Sequence, residues 1–521
     1  MKVLLITGQM AKREVERYAK ESYVKTKVLT LKVPVAAFLT PQIISDALMK
    51  SETKNFDLIL VPGLIRGDTS IISKATGISA FKGPKYAADL PIILDSLSEV
   101  KLSTVVAADE LLREKLEKKA LEEISKVEKN KKTLLKCPGN ILIGNLGIGR
   151  DFPMRVLGEI VDAALLNEGE IKRLARYYVE AGADVIDVGM ISGESRPKDA
   201  ERVVAAVKEA VNVSVSIDSL DPEEIKAAVA AGTDLVLSMD AGNIEMIAPF
   251  VRDVAVVAIP TNQREGYFPK KAKERVELLE QIVAQSYDLG VKKVLADLIL
   301  DPLEVLESFI AFRQFSRRNP NVPLFVGVSN VTELMDADSV GVNALLAQLS
   351  SEVGASMLLA TEKSDKAKGS IKEEKIASQM MFLAKKRGSF AKDLGINLLI
   401  LKDKRNREEP FHKEIEQKSC VLLATGNKPP TQLDKEGSFR IFVDRDEQKI
   451  VAEHFTLADE LTPSIIVKGK TADQVYELIV KSGLISRLDH AAYLGSELTK
   501  AEIGLGTGKE YIQDKRMFTN S

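Results

Sequence analysis

Carboxylate, amide and hydroxyl side chains recur in the middle of the chain, each at or directly after the end of an apolar, strand-like run. They are Asn145, Asp218, Ser238, Asp297 and Asn330. A carboxylate can accept two parallel N–H bonds from the edge of an aminopyrimidine, and an amide can donate and accept at once. These residue types indicate recognition of a flat heterocycle.

A short polar turn, GESRP at residues 193–197, separates the apolar run DVIDVG from a helical pattern. Its arginine, Arg196, carries a rigid fork of donors that suits an anionic group. A solvated surface loop explains the same turn when it is taken alone. Both interpretations stay open on these residues.

Residues 138–390 contain neither histidine nor cysteine. Chemistry in this region therefore has to use carboxylates, amides, hydroxyls, lysine or arginine, which excludes histidine-based triads, thiol nucleophiles and ordinary zinc sites. The two cysteines, Cys137 and Cys420, lie far apart in the sequence and are predicted to be reduced and structural.

Eight apolar runs alternate with helical patterns across residues 138–390, and several of these helical patterns end in glycine. This rhythm predicts a closed (β/α)₈ TIM barrel, with a doubly wound open sheet as the competitor. Functional groups are then expected at the carboxyl ends of the strands. The predicted strands are 140–145, 184–189, 213–218, 234–239, 254–260, 293–297, 323–328 and 356–361.

The flanks of this region have their own α/β patterns. Residues 1–133 predict a small N-terminal α/β domain, and residues 391–521 predict a C-terminal α/β accessory domain. The loop at 62–68 follows a strand end, where ligands of α/β domains often bind, but a structural turn explains it better.

The charge balance and hydropathy of the chain exclude some classes of partner. The formal net charge is −2, and charged residues make up 28% of the chain. We expect no nucleic-acid partner, no membrane-spanning segment and no signal peptide, because the apolar start MKVLLITG is followed at once by charges. A cytoplasmic protein is the expectation.

Three segments resemble the dihydropteroate synthases, a pterin-binding (β/α)₈ superfamily. GADVIDVGMISGESRP resembles their second strand and lid loop, SVSIDSLDPEEIKAAVAAGTDLV their third strand and helix, and ILIGNLGIGRDFP their first strand. The resemblance covers about half of the chain. It implies a transferase that condenses a 6-hydroxymethyl-dihydropterin diphosphate with an arylamine, in folate or tetrahydromethanopterin biosynthesis.

The resemblance also implies roles for single residues. Arg196 would meet the departing diphosphate, and Asn145 would lie near the diphosphate and its Mg²⁺. Asp218 would face the pterin, Asp297 would hold its amino edge, with Asp301 as second choice, and Ser238 would lie beside them. A homodimer through the barrel is expected on the same ground.

Departures from the synthase pattern leave other functions open. The seventh strand ends in GVSN rather than Ser-Arg-Lys, and the eighth in LLATEKS without an Arg-x-His pair, so Arg264 and Lys363 are candidates for the missing anion contacts. GVSN, with Asn330 near the pterin, resembles the pterin-dependent methyltransferases, which act with a corrinoid protein. A non-catalytic pterin-binding protein and an unrelated barrel enzyme are the remaining alternatives.

Overall fold

The computed structural model describes residues 1–50, 55–392, 394–402, 419–424, 432–459 and 461–518. The chain divides into two compact units. The first contains residues 1–334, 340–361 and 371–398, and the second contains residues 335–339, 362–370 and 399–521. No helix in the described ranges combines the length and hydropathy that a bilayer crossing needs.

The chain begins with a four-stranded parallel sheet in the order β2-β1-β3-β4. Its apolar strands β1 and β3 are central, and helices cover the sheet, as an all-parallel sheet requires. The strands are β1 (Lys2–Thr7), β2 (Lys25–Thr30), β3 (Leu58–Val61) and β4 (Ala80–Lys82). The helices are α1 (Lys12–Ala19), α2 (Pro41–Met49), α3 (Ser70–Thr76) and α4 (Leu90–Asp95).

The loop at 62–68 has structural contacts that explain its composition. A side chain at Gly63 would collide with the backbone of Gly83 and Lys85. The carbonyl of the buried Ile65 accepts a hydrogen bond from Lys82 Nζ at 2.8 Å. These contacts agree with a structural turn.

The first unit contains a closed barrel of eight parallel strands, which confirms the predicted fold class. The strands are β7 (Arg155–Ile160), β8 (Val185–Gly189), β9 (Ser214–Asp218), β10 (Leu235–Met239), β11 (Ala255–Ala258), β12 (Lys293–Ala296), β13 (Leu324–Gly327) and β14 (Ala355–Thr361). They pair in sequence order, and β14 closes against β7. Seven of them coincide with the predicted runs to within a few residues.

The prediction of residues 140–145 as the first barrel strand is wrong. These residues form an antiparallel hairpin of β5 (Ile141–Ile143) and β6 (Leu146–Ile148), and the first barrel strand is β7. The two-residue turn has a positive φ of 52° at Gly144, the backbone shape that tight hairpins need. Ile143 and Ile148 are fully buried and pack into the lower barrel core.

Helices cover the outside of the barrel because each has one apolar face. They are α7 (Glu168–Ala181), α8 (Pro197–Ala210), α9 (Pro222–Ala230), α10 (Ile244–Ile247), α11 (Ala272–Asp288), α12 (Val305–Arg318), α13 (Ser329–Thr332), α14 (Ser339–Val353) and α15 (Ser370–Arg387). Helix α7 shows how the sequence sets these boundaries. Asn167 and Glu170 form a capping box at its start, and Gly182 ends it in the left-handed conformation.

A long charged helix, α5 (Ala108–Lys129), leads from the first sheet to the barrel, followed by the short α6 (Lys131–Leu134). Its buried Ala120 packs with Leu383 and Leu394. Glu128 near its end accepts a hydrogen bond of 2.6 Å from Arg155, which begins the first barrel strand. The helix is therefore packed on the barrel rather than extended as a free linker.

The second unit contains a three-stranded antiparallel sheet and two helices. They are β15 (Ser438–Asp444), β16 (Lys449–Phe455), β17 (Ile465–Gly469), α16 (Ala472–Lys481) and α17 (Leu488–Thr507). The buried Asp434 holds the start of α17 by accepting hydrogen bonds from Ser486, the Arg487 N–H and His490. The polar residues between α16 and α17 therefore have a structural role, because they donate hydrogen bonds to this buried acid.

Candidate functional site

The carboxyl ends of the barrel strands carry most of the side chains that the sequence singled out. Asp218 is the last residue of β9, Asp297 directly follows β12, and Asn330 lies three residues after β13. Asp218 and Asp297 are close enough for the charge of one to raise the pKa of the other. The structure thus brings these two carboxylates to one end of the barrel, where barrel enzymes bind their ligands.

Ser238 orients Asp218. Its hydroxyl donates a hydrogen bond of 2.7 Å to Asp218 Oδ1. The backbone of Ser238 is left-handed, with φ of 71°, and the pairing of β10 with β11 shifts register between Val236 and Met239. Such an irregularity re-aims a side chain at the end of a strand, and strained backbone of this kind concentrates at functional sites. Burial raises the pKa of Asp218, and the Ser238 hydrogen bond opposes that rise.

Asp297 is a buried carboxylate on a strained turn. Its Oδ1 accepts the backbone N–H of Ile299 at 2.8 Å, and Ile299 has a φ of 62°, which is rare for a β-branched residue. Burial raises the pKa of Asp297 to about 7, helped by the charge of Asp218 and opposed by the Ile299 N–H and Arg275. This carboxyl group therefore changes its charge near neutral pH.

Arg275 on α11 supports the turn that carries Asp297. Its side chain has no exposed surface. The guanidinium donates to the carbonyls of Pro269 and Ile299, both at 3.0 Å, and to Ser308 Oγ at 2.9 Å. The strained conformation of Ile299 is thus held by a buried cation.

Asp301, the second choice for the pterin carboxylate, has cationic partners instead. Lys270 Nζ lies 3.2 Å and Arg275 Nη2 lies 3.6 Å from Asp301 Oδ2. Burial alone would raise the pKa of Asp301, but the Leu303 N–H and Lys270 hold it below its usual value. Asp297 has no such pair in the described part of the chain, which favours it as the ligand-facing group.

Asn330 lies beside the loop that follows Asp297. Its Nδ2 donates to the carbonyl of Leu300 at 3.2 Å. A side chain at Gly327 would contact the Asn330 amide, so glycine leaves room for it at the end of β13. The exposed Asn330 side chain is placed next to the sixth-strand loop, where it can contact a ligand.

Two acidic residues that the sequence did not predict for the site lie on the barrel strands themselves, Glu159 on β7 and Asp187 on β8. Glu159 pairs in register with Asp187, and Asp187 with Ser216, so the three side chains point to the same face of the sheet. One oxygen each from Glu159, Asp187 and Asp218 lie within 4.8 Å of one another. In the sequence, the feature that indicates these two residues is a charged side chain inside an otherwise apolar strand.

Asp187 is the most deeply buried member of this carboxylate cluster, which we define as Glu159, Asp187 and Asp218. It has no exposed surface, and its Oδ1 accepts a hydrogen bond of 2.5 Å from Ser216 Oγ. Burial raises the pKa of Asp187 well above its usual value, and the neighbouring charges of Asp218 and Glu159 add to the rise. Binding of a proton or a cation would therefore stabilise the cluster by reducing its negative charge.

The GESRP turn follows β8 at the same end of the barrel, and in this conformation its arginine is bound to local carboxylates. Arg196 Nε donates to Glu194 at 2.7 Å, and Nη1 lies 3.7 Å from Asp199. The backbone N–H of Arg196 donates to the buried Glu224 at 2.8 Å. Arg196 is one-third exposed (33%), so its side chain can leave these partners at small cost.

The remaining predicted site residues are Asn145, Arg264 and Lys363. Asn145 is in the hairpin turn: its neighbour Gly144 abuts Ser214 and Asp234, at the amino-terminal ends of the third and fourth strands. It therefore lies at the end of the barrel opposite Asp218 and Asp297, which does not fit the predicted diphosphate and Mg²⁺ contact. Arg264 is exposed and contacts Met246 Sδ. Lys363 follows β14 and belongs to the second unit, so its part in the site stays a prediction.

Three protein families match parts of the chain. The family described as pterin binding enzyme matches residues 162–360. A family of unknown function, DUF6513, matches residues 1–85, and the family PterinBD-DUF4346 matches residues 433–514. The pterin-binding match runs from just after the first barrel strand into the eighth.

Relatives of different length are similar to the chain. The uncharacterized protein MJ0107 of Methanocaldococcus jannaschii is 43% identical over 533 residues, which cover 99% of both chains. The protein ycf91 of Porphyra purpurea is 37% identical over 124 residues, covering 23% of this chain and 98% of its own. A Ycf91-like protein of Nostoc sp. is 33% identical over 106 residues, covering 16% of this chain and 84% of its own.

Solved structures of dihydropteroate synthase are similar to the barrel region. The Xanthomonas albilineans enzyme in complex with 7,8-dihydropteroate is 18% identical and covers 45% of this chain and 96% of its own, with a TM-score of 0.36. The Yersinia pestis enzyme is 17% identical and covers 49% of this chain and 100% of its own, with a TM-score of 0.38.

Proposed function

The chain belongs to the family of the Methanocaldococcus jannaschii protein MJ0107, and its barrel matches the pterin binding enzyme family; from this premise we propose that it is a pterin transferase of the dihydropteroate-synthase type. The substrates are a 6-hydroxymethyl-dihydropterin diphosphate and an arylamine. The product belongs to folate or tetrahydromethanopterin biosynthesis.

The observation that carries the proposal is the pair of carboxylates, the half-buried Asp218 and the buried Asp297, at the carboxyl ends of the barrel strands. An ionised Asp297 can accept two N–H bonds from the amino edge of a pterin, and Asp218 can accept a further one. Asn330, beside the Asp297 loop, supplies an amide that donates and accepts. These three groups match the hydrogen-bonding edge of an aminopyrimidine ring.

The transfer step needs placement and charge stabilisation rather than a nucleophile from the protein. The arylamine nitrogen attacks the methylene carbon of the pterin, the carbon–oxygen bond to the diphosphate breaks, and the amine loses a proton. Arg196 is the cation of the second-strand loop and would exchange Glu194 and Asp199 for the diphosphate oxygens. Arg264 and Lys363 are the further candidates for anion contacts.

Methyl transfer from a methylated tetrahydropterin to a corrinoid protein is the second candidate function. The position of Asn330 favours it, because an amide beside the Asp297 loop can hydrogen-bond to a pterin ring nitrogen that loses a methyl group. Under this alternative Arg196 has no anion to stabilise.

Diphosphate release separates the two functions. The full-length protein is incubated with the dihydropterin diphosphate and an arylamine, and released diphosphate is followed over time. We expect release that requires the amine and falls about 100-fold in Arg196→Met, the order of magnitude for removal of one stabilising donor. Arg252→Met is the matched control, because Arg252 precedes β11 at the opposite end of the barrel.

Two outcomes would contradict the synthase proposal. Release without dependence on the amine would indicate hydrolysis, and absence of release with binding of methyl-tetrahydropterin would favour the methyltransferase. Transfer of the methyl group to a corrinoid protein would then establish that function.

A further inference from the structure

The carboxylate cluster brings oxygens from three neighbouring strands to one point in the barrel. The three ligand atoms of Glu159, Asp187 and Asp218 lie within 4.8 Å of one another. Oxygens on one divalent cation lie about 2.0–2.6 Å from it, so they can be up to roughly 4–5 Å apart. The spacing therefore fits three ligands of a single ion.

The cluster also contains an oxygen that has no partner. Asp187 is completely buried, and Asp187 Oδ2 has no hydrogen-bond partner in the described part of the chain. The charges that act on Asp187 are those of Asp218 and Glu159, which are of the same sign. A buried, unpaired carboxylate oxygen facing other carboxylates is unfavourable unless positive charge is supplied.

Serine hydroxyls hold two of the carboxylates in fixed orientations. Ser216 donates to Asp187 Oδ1 at 2.5 Å, and Ser238 donates to Asp218 Oδ1 at 2.7 Å. Hydrogen bonds of this kind orient the ligands of metal ions in proteins. Gly189 adds a steric requirement, since a side chain there would collide with Glu159 Oε1.

We propose that Glu159, Asp187 and Asp218 bind one divalent cation of the Mg²⁺ or Mn²⁺ class at the mouth of the barrel. Oxygen ligands alone select hard cations, and residues 138–390 contain no histidine or cysteine that would favour zinc or copper. Three carboxylates leave further coordination positions for water or for oxygens of a bound substrate. The ion balances the charge of the cluster, and it does so whether or not the barrel catalyses diphosphate release.

Mn²⁺ is the probe, because its binding can be followed by electron paramagnetic resonance and calorimetry without any substrate. We expect the full-length protein to bind one Mn²⁺ at this site, and Asp187→Asn and Glu159→Gln to weaken binding at least 10-fold. Asp301→Asn is the matched control: it removes a buried carboxylate at the same end of the barrel that pairs with Lys270 and Arg275 outside the cluster, and it should change the affinity less than threefold.

Thermal unfolding gives a second readout, because Asp187→Asn should have opposite effects on the stability of the metal-free protein and on its stabilisation by Mn²⁺. In EDTA, Asp187→Asn should unfold at a higher temperature than the wild type, because it removes like-charge repulsion, and added Mn²⁺ should raise the unfolding temperature of the wild type more than that of Asp187→Asn. The proposal is overturned if the wild type binds no Mn²⁺, or if Asp187→Asn and Glu159→Gln bind it as tightly as the wild type.

These measurements test the cation site and the transferase activity independently. Mn²⁺ binding that depends on the cluster, together with no diphosphate release, leaves the cation site standing and removes the synthase. Diphosphate release that is unchanged in EDTA, from a protein that binds no Mn²⁺, removes the cation site and leaves the synthase standing.

Discussion

Replacement of Arg275 by methionine tests how Asp297, the proposed pterin-binding carboxylate, is positioned. Arg275 is buried on α11 and is not among the residues predicted to contact a ligand. It donates hydrogen bonds to the carbonyls of Pro269 and Ile299 and to the hydroxyl of Ser308. Ile299 in turn donates its N–H to Asp297. We expect Arg275→Met to destabilise the fold, weaken pterin binding and change its pH dependence.

The contacts of Arg275 set the size of the effect on stability. A hydrogen bond to a charged group contributes about 1.5–3 kcal/mol, and removal of one partner of a buried ion pair costs about 3–5 kcal/mol. Asp301 keeps Lys270 and the Leu303 N–H when Arg275 is absent, which places the loss near the lower end. We expect a decrease of about 3 kcal/mol in the free energy of unfolding, measured with urea.

The pH profile reports on Asp297 itself. Pterin binding that uses the ionised carboxylate should be strong above the Asp297 pKa of about 7 and should be lost as the pH falls below it. Arg275 lowers that pKa, so the midpoint of pterin affinity should move to higher pH in Arg275→Met. Pterin binding is measured by calorimetry between pH 5 and pH 9.

Arg275→Lys is the matched control for charge. A lysine keeps the positive charge but cannot reach three acceptors in the geometry of the guanidinium fork. It should lose stability while its pH midpoint stays close to that of the wild type. The reasoning is refuted if Arg275→Met unfolds like the wild type, or if it binds pterin more weakly with an unchanged midpoint.

Three further predictions concern the same end of the barrel. Asp297→Asn should raise the free energy of unfolding at pH 8 by up to about 4 kcal/mol, since one pKa unit corresponds to about 1.4 kcal/mol. A carboxyl group whose pKa is raised on folding contributes stability at low pH that is lost as the pH rises through about 7, so the gain should vanish near pH 4 in urea titrations. Gly189→Ala should weaken Mn²⁺ binding about 10-fold in calorimetry by displacing Glu159 without removing a ligand, and unchanged affinity would contradict the cluster geometry. Glu224→Ala should remove the acceptor of the Arg196 N–H and increase amide hydrogen exchange across residues 193–196, and unchanged protection would show that Glu224 does not hold this turn.

The alternation of apolar runs and helical patterns predicted the barrel correctly, because this alternation reflects which side chains the strands and helices bury in the core. The first strand was the exception. RVLGEI carries Arg155 and Glu159, and it looked less strand-like than the apolar run at 140–145. The charge of Arg155 is accommodated by Glu128 and the Gly147 carbonyl, which are partners that no local pattern indicates. The Gly144–Asn145 pair was the hairpin signal that could have corrected the assignment.

The candidate site was predictable where it depends on strand ends and unpredictable where it depends on side-chain partners. Asp218 and Asp297 follow from their positions after apolar runs. Asp187 was passed over because it lies within such a run, and only the closed sheet places it beside Glu159. The sequence also could not indicate that Arg196 pairs with Glu194 and Asp199 in this conformation, because such pairing depends on the shape of the turn.

The hairpin of Ile143 and Ile148 has a kinetic consequence. Because these side chains pack into the barrel core from the amino-terminal ends of the strands, we expect a ligand to enter and leave past the opposite strand ends, which carry Asp218 and Asp297. Under the proposed transferase, a pterin bound at Asp297 would then have to arrive before the arylamine, if both use this path. The kinetics expected for that function are therefore ordered, with the product leaving before the next pterin can bind.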